Sequence, residues 1–501
     1  MKYVIGVDLG TSAVKLLLVN KMGEVVRQVA KTYPMFRERS GWSEQNPDDW
    51  VNATIDGLKE LLKKFEGSPA DIEGISFSGQ MHGLVLLDEN LEVLRNAILW
   101  NDTRTTEECR EIEERVGKER LLEITKNPAL EGFTLPKILW VKKHEPHLFK
   151  KAGVFVLPKD YVRFRLTGKL HMDYSDAAGT LLMNVSEKTW SKEIGTRVGV
   201  DIGLCPPLIS SLDEEGLVTP EIARITGLSP ATRVFAGGAD NACGAIGAGI
   251  LKEGKTLVSI GTSGVVLSYE KDGAKDFRGK VHYFNHGDPD SFYTMGVTLA
   301  AGHSLAWFKE AFAKNEDFHE LLHGVEQIPA GANGLLFTPY IAGERTPHAD
   351  AVIRGSWIGL DSSHQKEHII RAVLEGITFS LNESVEIFRA HGKKVDQVIS
   401  IGGGAKNETW LQMQADIFGA KVVKLKSEQG PGMGAAMLAA TGCGWFESLE
   451  DCAEKFVKEA RVYEPVPENV KKYRKLFRIY REVYPSTQGL SRKLQEFRNE
   501  G

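Results

Sequence analysis

Two short stretches of this sequence carry the same run of hydroxyl and small residues. Asp8-Leu9-Gly10-Thr11-Ser12 and Ser259-Ile260-Gly261-Thr262-Ser263 each follow one apolar, β-branched run and precede another, so each reads as the turn of a hairpin. They align without a gap, about half the chain apart, at Thr11 and Thr262. Backbone N–H groups in a tight glycine-containing turn converge on one point and favour an anion there. Thr and Ser hydroxyls add donors, and glycine lets the backbone come close. One such turn alone is an ordinary hairpin. Two aligned copies point to a phosphate cradle built from both halves of the chain, with Thr11, Ser12, Thr262 and Ser263 as donors. Asp8 precedes the first turn and Ser259 holds the matching place in the second. That leaves one carboxylate, suited to a Mg²⁺ ion beside phosphates.

Other residues have the types and spacing of a site. In Ala236-Gly237-Gly238-Ala239-Asp240-Asn241 an aspartate ends a glycine-rich turn and enters a segment of Ala242, Gly244, Ala245, Gly247, Ala248 and Gly249. A helix of such small residues can pack closely on another backbone. Asp240 at its start reads as an N-cap, and the helix dipole would keep it ionised as a proton acceptor. Gly402-Gly403-Gly404-Ala405-Lys406-Asn407 sits between a strand and a helix, where backbone can touch a nucleotide. Its spacing is not that of a dinucleotide fingerprint. Gly79-Gln80-Met81-His82-Gly83 and Trp100-Asn101-Asp102 follow strand-like runs, where ligands are read. His319-Glu320-Leu321-Leu322-His323 matches a zinc-protease pattern. Its polar flank and lack of a third ligand make it a surface-helix coincidence.

These residues need a frame. Residues 4–7 and 14–19 read as strands of the first hairpin, and residues 256–260 and 265–269 as those of the second. Between and after them strands alternate with helices: strands at 72–77, 84–88, 395–401 and 421–425, helices at 136–144, 159–167, 365–391 and 407–418. That alternation predicts an α/β fold. The charged tail at 469–484 reads as a surface helix able to pack on either lobe. At 501 residues the chain suits two domains, expected at 1–245 and 246–501, with the last helix able to pack back on the N-terminal one.

Bulk properties exclude several classes. A net charge of -5 and interspersed charges argue against a nucleic-acid surface or a basic membrane patch. No apolar run approaches the ~20 residues that span a bilayer, and the start lacks a leader pattern. The five cysteines include no Cys-x-x-Cys pair. The expectation is a protein of the reducing cytoplasm, without nucleic-acid or membrane partners.

Taken together, the two hairpin motifs and Gly402-Gly403-Gly404-Ala405 resemble the phosphate and adenosine motifs of the FGGY carbohydrate kinases, of the actin, Hsp70 and sugar-kinase superfamily. Residues 132–140 and 355–376 resemble that family's two signatures. Within it, Gly79-Gln80-Met81-His82-Gly83, Leu99-Trp100-Asn101-Asp102, Leu157-Pro158-Lys159-Asp160-Tyr161, Asp173-Tyr174-Ser175-Asp176 and Gly343-Glu344-Arg345-Thr346-Pro347-His348 are similar to the D-xylulose branch. Glycerol kinases carry an Arg-Glu pair where this chain has Met81-His82, which speaks against glycerol. The resemblance implies two ribonuclease H-like domains around an ATP cleft and transfer of phosphate from ATP to D-xylulose, feeding pentose phosphate metabolism. It implies Asp240 as base, Asp8 acting through Mg²⁺ (by way of water), and Met81, His82, Trp100, Asp102, Asp240 and Asn241 at the sugar. Thr11, Ser12, Thr262 and Ser263 would line the phosphates, and Gly403, Gly404 and Asn407 the adenosine. A homodimer is compatible with it. The alternatives are a kinase of another ketose or polyol, such as L-ribulose, and an actin- or Hsp70-like ATP switch, which has no use for Asp240-Asn241 or Met81-His82.

Overall fold

The computed structural model describes residues 1–500. Two seven-stranded sheets organise it. The first runs Glu214–Leu217, Arg233–Phe235, Ile72–Gly79, Tyr3–Leu9, Ala13–Asn20, Val25–Thr32, with Gly238–Ala239 also paired to Ile72–Gly79. The second runs His282–Asn285, Phe292–Thr298, Gly264–Glu270, Gly254–Ile260, Val395–Gly402, Lys421–Leu425, Glu459–Tyr463. In each, an antiparallel meander continues into parallel strands. Five strands follow the same order in both, Val25–Thr32, Ala13–Asn20, Tyr3–Leu9, Ile72–Gly79 and Arg233–Phe235 matching Phe292–Thr298, Gly264–Glu270, Gly254–Ile260, Val395–Gly402 and Lys421–Leu425, so the sequence repeat is a repeat of topology. Central strands such as Ile72–Gly79 are buried on both faces, with the small polar side chains of Ser76 and Ser78 enclosed among the apolar ones. Val25–Thr32 alternates between partly buried and exposed positions, with Val29 buried, because one of its faces meets water. This geometry sets residues 10–12 and 261–263 at matching strand ends.

The lobes are not divided at one point in the sequence. Helix Pro431–Gly442 packs on Tyr3–Leu9, Ile72–Gly79 and helix Asp240–Gly247, all in the first lobe. Its glycines allow that approach: a Cβ at Gly434 would stand 1.8 Å from the carbonyl oxygen of Cys243. Helix Leu449–Phe456 joins the same cluster as Val4, Leu17 and Val19. The segment that returns to the first lobe is therefore 431–456, not the last helix. That helix, Pro467–Asn499, runs beyond the expected 469–484 and lies on the second lobe. Its Tyr473, Phe477, Tyr480 and Val483 are buried, and the Tyr473 hydroxyl donates to Glu375 at 2.6 Å while accepting from Arg371 at 2.8 Å. No helix among the described residues is long and apolar enough to cross a membrane. All five cysteines are free.

Candidate active site

A cavity of about 430 Å³ opens between the lobes. The first lobe gives it Met81, His82, Trp100, Asp102, Phe133, Asp240 and Asn241, and the second gives Ser263, His282, Phe284 and Arg345. A separate cavity of about 650 Å³ lies in the second lobe, lined by Thr262, Gly302, Gly403, Gly404, Asn407 and Trp410. Thr262 and Ser263 are neighbours on one turn yet line different cavities, so the two spaces meet at the second hairpin turn.

Asp240 is held from several sides. The two-residue strand before it, Gly238–Ala239, pairs in parallel with Ser78 and Gly79. Ala239 N–H donates to Ser175 Oγ at 2.9 Å, and Ser175 Oγ donates in turn to Asp173. Arg163 donates to the Ala236 carbonyl at 2.6 Å. Asp240 itself is the first residue of its helix, and Ala239 is the cap. The expected capping role is thus absent: the carboxylate accepts instead from Asn241 N at 2.7 Å and Asn241 Nδ2 at 3.1 Å. Burial pushes its pKa up to about 7, helped by the negative charge of Asp8, while the Asn241 N–H pulls the other way. Asp8 lies on the adjoining strand, in register with Ser78 and Lys15. Burial raises it to about 6 against a Ser78 hydrogen bond and the charge of Lys15. Both carboxylates are half-buried, and the charge of Asp8 is felt at Asp240; they form an oxygen donor pair that suits a divalent cation.

The residues expected from sequence to meet the sugar line the cavity together with Asp240, whereas Asp8 does not line it. His82 has a left-handed backbone (φ 68) and its Nδ1 lies 2.7 Å from the Gly179 carbonyl oxygen. A carbonyl only accepts, so Nδ1 carries the proton and Nε2 is left with a lone pair. Burial lowers the ring's pKa to about 3, so it is neutral. Asn241 Nδ2 also reaches Met81 Sδ at 3.5 Å. Trp100 Nε1 donates to Thr11 Oγ1 at 3.0 Å, tying the first hairpin turn to the cavity wall. Ser12 is exposed on that turn. Asp102 lines the cavity, but its carboxylate is taken: Arg104 donates to it at 2.9 and 2.7 Å and Ser43 N at 2.6 Å. Its geometry makes it a wall support rather than an open acceptor. Asn407 caps helix Glu408–Phe418 by accepting from Trp410 N at 2.8 Å while lining the second cavity.

Sequence reasoning missed several cavity residues. His282, Phe284 and Arg345 come from the second lobe, and only the assembled cleft brings them to Met81 and His82. Of these, Arg345 stood in a noted motif, which was its one available signal. His319 proves to line the second cavity, on a helix of five residues, Phe318–Leu322, that ends before His323. This is not a zinc helix, though it is not a bare surface feature either. Asp160, Asp173 and Asp176 form the one acidic cluster of metal-binding spacing among the described residues. Lys159 already fills it, at 2.6, 2.6 and 2.9 Å from the three carboxylates, with Arg163 3.0 Å from Asp160. Those charges are buried and paired within the chain, so the cluster has no room for a cation and serves to anchor the turn below Asp240.

Comparison with known proteins agrees with this geometry. The chain matches the N-terminal domain of the FGGY family of carbohydrate kinases over residues 3–247 and its C-terminal domain over 256–443. It is 63% identical over 498 residues to the xylulose kinase of Bacillus subtilis (strain 168), spanning 99% of this chain and 100% of that protein. The crystal structure of a ligand-bound xylulose kinase from Lactobacillus acidophilus has a TM-score of 0.93 at 29% identity, covering 99% of this chain and 100% of that one. A gluconate kinase from the same organism also reaches 0.93 at 29%, covering 98% and 99%. Both hairpin turns, the Asp240 helix and the glycine turn at 402–404 fall within the matched regions, and the protein belongs to the FGGY family of carbohydrate kinases.

Proposed function

We propose that the protein transfers the terminal phosphoryl group of ATP to O5 of D-xylulose, giving D-xylulose 5-phosphate and ADP. The observation that carries this reading is the turn at 261–263: Thr262 faces one cavity, Ser263 the other, and Asp240 stands in the second of these. A sugar hydroxyl beside Asp240 and a nucleotide along Gly403 and Gly404 would bring their reacting atoms together at that turn. Asp240 takes the proton of the hydroxyl as its oxygen bonds to phosphorus and the bond to ADP breaks. A carboxylate with a pKa of about 7 is ionised in useful proportion at neutral pH and is a stronger base than an ordinary one. Thr11, Ser12, Thr262 and Ser263 donate to phosphate oxygens, and Gly403, Gly404 and Asn407 border the adenosine. Asp8 would hold Mg²⁺, through water, and the ion would supply charge neutralisation at the phosphates. Closure of the lobes would exclude water and suppress ATP hydrolysis. Met81, His82, Asn241 and Trp100 position the sugar.

D-xylulose is favoured by the 63% identity to a xylulose kinase along almost the whole chain. Equal likeness of fold to a gluconate kinase means that the architecture alone does not choose the sugar. The free cysteines suit a reducing cytoplasm, where we place the reaction. Assaying D-xylulose, L-ribulose, D-gluconate and glycerol for ADP release tests the reading. The highest kcat/KM is expected for D-xylulose. A higher value for any other sugar refutes the substrate, and ADP release indifferent to sugar refutes the kinase.

A further inference from the structure

Several side chains of the inter-lobe cavity face it with acceptors because their donors are already engaged. His82 presents only the Nε2 lone pair, since Nδ1 donates to Gly179. His282 is locked in the same way. Asn127 Nδ2 donates to the carbonyls of Thr125 at 2.9 Å and Tyr283 at 2.8 Å, which fixes its Oδ1 as the atom facing His282 Nδ1 at 3.1 Å. Nδ1 of His282 therefore carries the proton and Nε2 is bare. Asp240 accepts. Asn241 Nδ2 is engaged by Asp240 and Met81, and Trp100 Nε1 by Thr11. Such a wall suits hydroxyl groups, which donate. A ketone oxygen only accepts, and these groups offer it nothing.

Arg345 supplies charged donors, where the wall otherwise offers neutral ones such as the Ser263 hydroxyl and the Asn101 amide. Both of its neighbours pin its backbone to the cavity wall. Glu344 accepts from Arg345 N at 2.8 Å and Leu299 N at 3.1 Å through one oxygen, and from Ser380 Oγ at 2.9 Å through the other. Thr346 N donates to the Val297 carbonyl at 2.9 Å, and Val297 N donates back to Thr346 Oγ1 at 3.1 Å. Val297 and Arg345 both line the cavity. Among the described residues the guanidinium has no hydrogen-bond or ion-pair partner; the backbone N–H donates to Glu344 and the backbone carbonyl accepts from Ala349 N, and the negative charges acting on the head are Glu131, also in the cavity wall, and Glu344. It is exposed to the cleft, and its charge is felt by both His82 and His282. The stem is fixed and the head is free.

We infer that Arg345 is the specificity-determining residue that reads the ketone of the sugar, donating to the C2 oxygen while His82 and His282 accept from hydroxyls. This rests on the proposed sugar-kinase function. The ligand class follows: a polyhydroxy ketone, preferred over the alditol that has a hydroxyl at the same carbon. Calorimetric titration of the full chain with D-xylulose, xylitol and D-gluconate, in the presence of ADP, tests it. Wild type should bind D-xylulose at least about tenfold more tightly than xylitol. Arg345→Met should lose about 10- to 100-fold of D-xylulose affinity, the range for a hydrogen bond to a charged group. Its affinities for xylitol and ADP should stay within about twofold, and Arg345→Gln, which keeps two donors, should lie between. Equal losses for both sugars, an unchanged preference in Arg345→Met, or tighter wild-type binding of D-gluconate than of D-xylulose would overturn the assignment. A protein that prefers D-xylulose in this titration but never phosphorylates it would leave Arg345's role intact and remove the kinase reading.

Discussion

Replacing Asp240 by asparagine should stop phosphorylation and make the protein more stable, by an amount that depends on pH. Burial and the charge of Asp8 raise the carboxyl from its ordinary 3.8 to about 7 in the folded chain. A group whose folded pKa is raised binds its proton more tightly when folded, so ionising it disfavours the fold. The penalty is absent below the unfolded value, grows through the interval and is complete above the folded one. Three pH units at 1.36 kcal/mol each make it on the order of 4 kcal/mol at pH 8, and about 1.5 kcal/mol at pH 5. Asparagine never ionises, and its amide oxygen can still accept from Asn241 N. At roughly 2–4 °C per kcal/mol for a lobe of this size, Asp240→Asn should melt about 10 °C higher than wild type at pH 8 and only a few degrees higher at pH 5. Turnover should fall about 10²- to 10⁴-fold, the usual loss on removing a positioned base. Thermal melts of both proteins at the two pH values, without ligands, give the comparison. A gain equal at pH 5 and pH 8, or no gain at either, would mean that folding does not raise the Asp240 carboxyl. A variant keeping a tenth of wild-type turnover would not have lost its base.

Three further outcomes follow from the site. His82→Ala should raise KM for D-xylulose far more than KM for ATP, with roughly a 10- to 100-fold loss of kcat/KM, because hydrogen bonding to a sugar hydroxyl is lost and its partner is left unpaired; a change confined to the ATP constant would return His82 to a structural role. Asp8→Ala should weaken the Mg²⁺ dependence of turnover and move the acid limb of kcat/KM below about pH 7, since the Asp8 charge helps hold Asp240 high; an unchanged Mg²⁺ titration would contradict it. Ser175→Ala deprives Ala239 N–H of its acceptor and should lower kcat about 2- to 10-fold at constant KM, with Ser175→Thr restoring it; equal loss in the Thr variant would mean that the hydroxyl does not position Asp240.

What the sequence revealed was what chemistry writes locally. Residues 8–12 and 259–263 carry their turn and their donors within five positions, so the repeat could be seen without a fold. Asp240 was visible because a glycine turn and a run of small residues frame it, although the N-cap assignment failed: the helix begins one residue earlier than that role needs. Arg345, His282 and Phe284 could not be placed beside His82, because only the packing of one lobe on the other makes them neighbours. Asp102 looked like a loop acid open to ligand, and its engagement by Arg104, two residues on, has no periodic signature. Pro431–Gly442 is buried on nearly every side, so its sequence shows no stripe to say which lobe it covers. The last helix buries a tyrosine and phenylalanine face that its charged residues obscured.

Whether phosphate reaches the sugar is decided by following a labelled phosphate. The protein is incubated with D-xylulose, Mg²⁺ and ATP labelled at the terminal phosphorus, and the products are separated by mass and position. Label is expected on O5 of the ketopentose, equal in amount to the ADP formed, and is expected to disappear with Asp240→Asn. Label recovered as inorganic phosphate, whether or not sugar is present, would contradict transfer to the sugar and identify an ATP switch in place of a kinase.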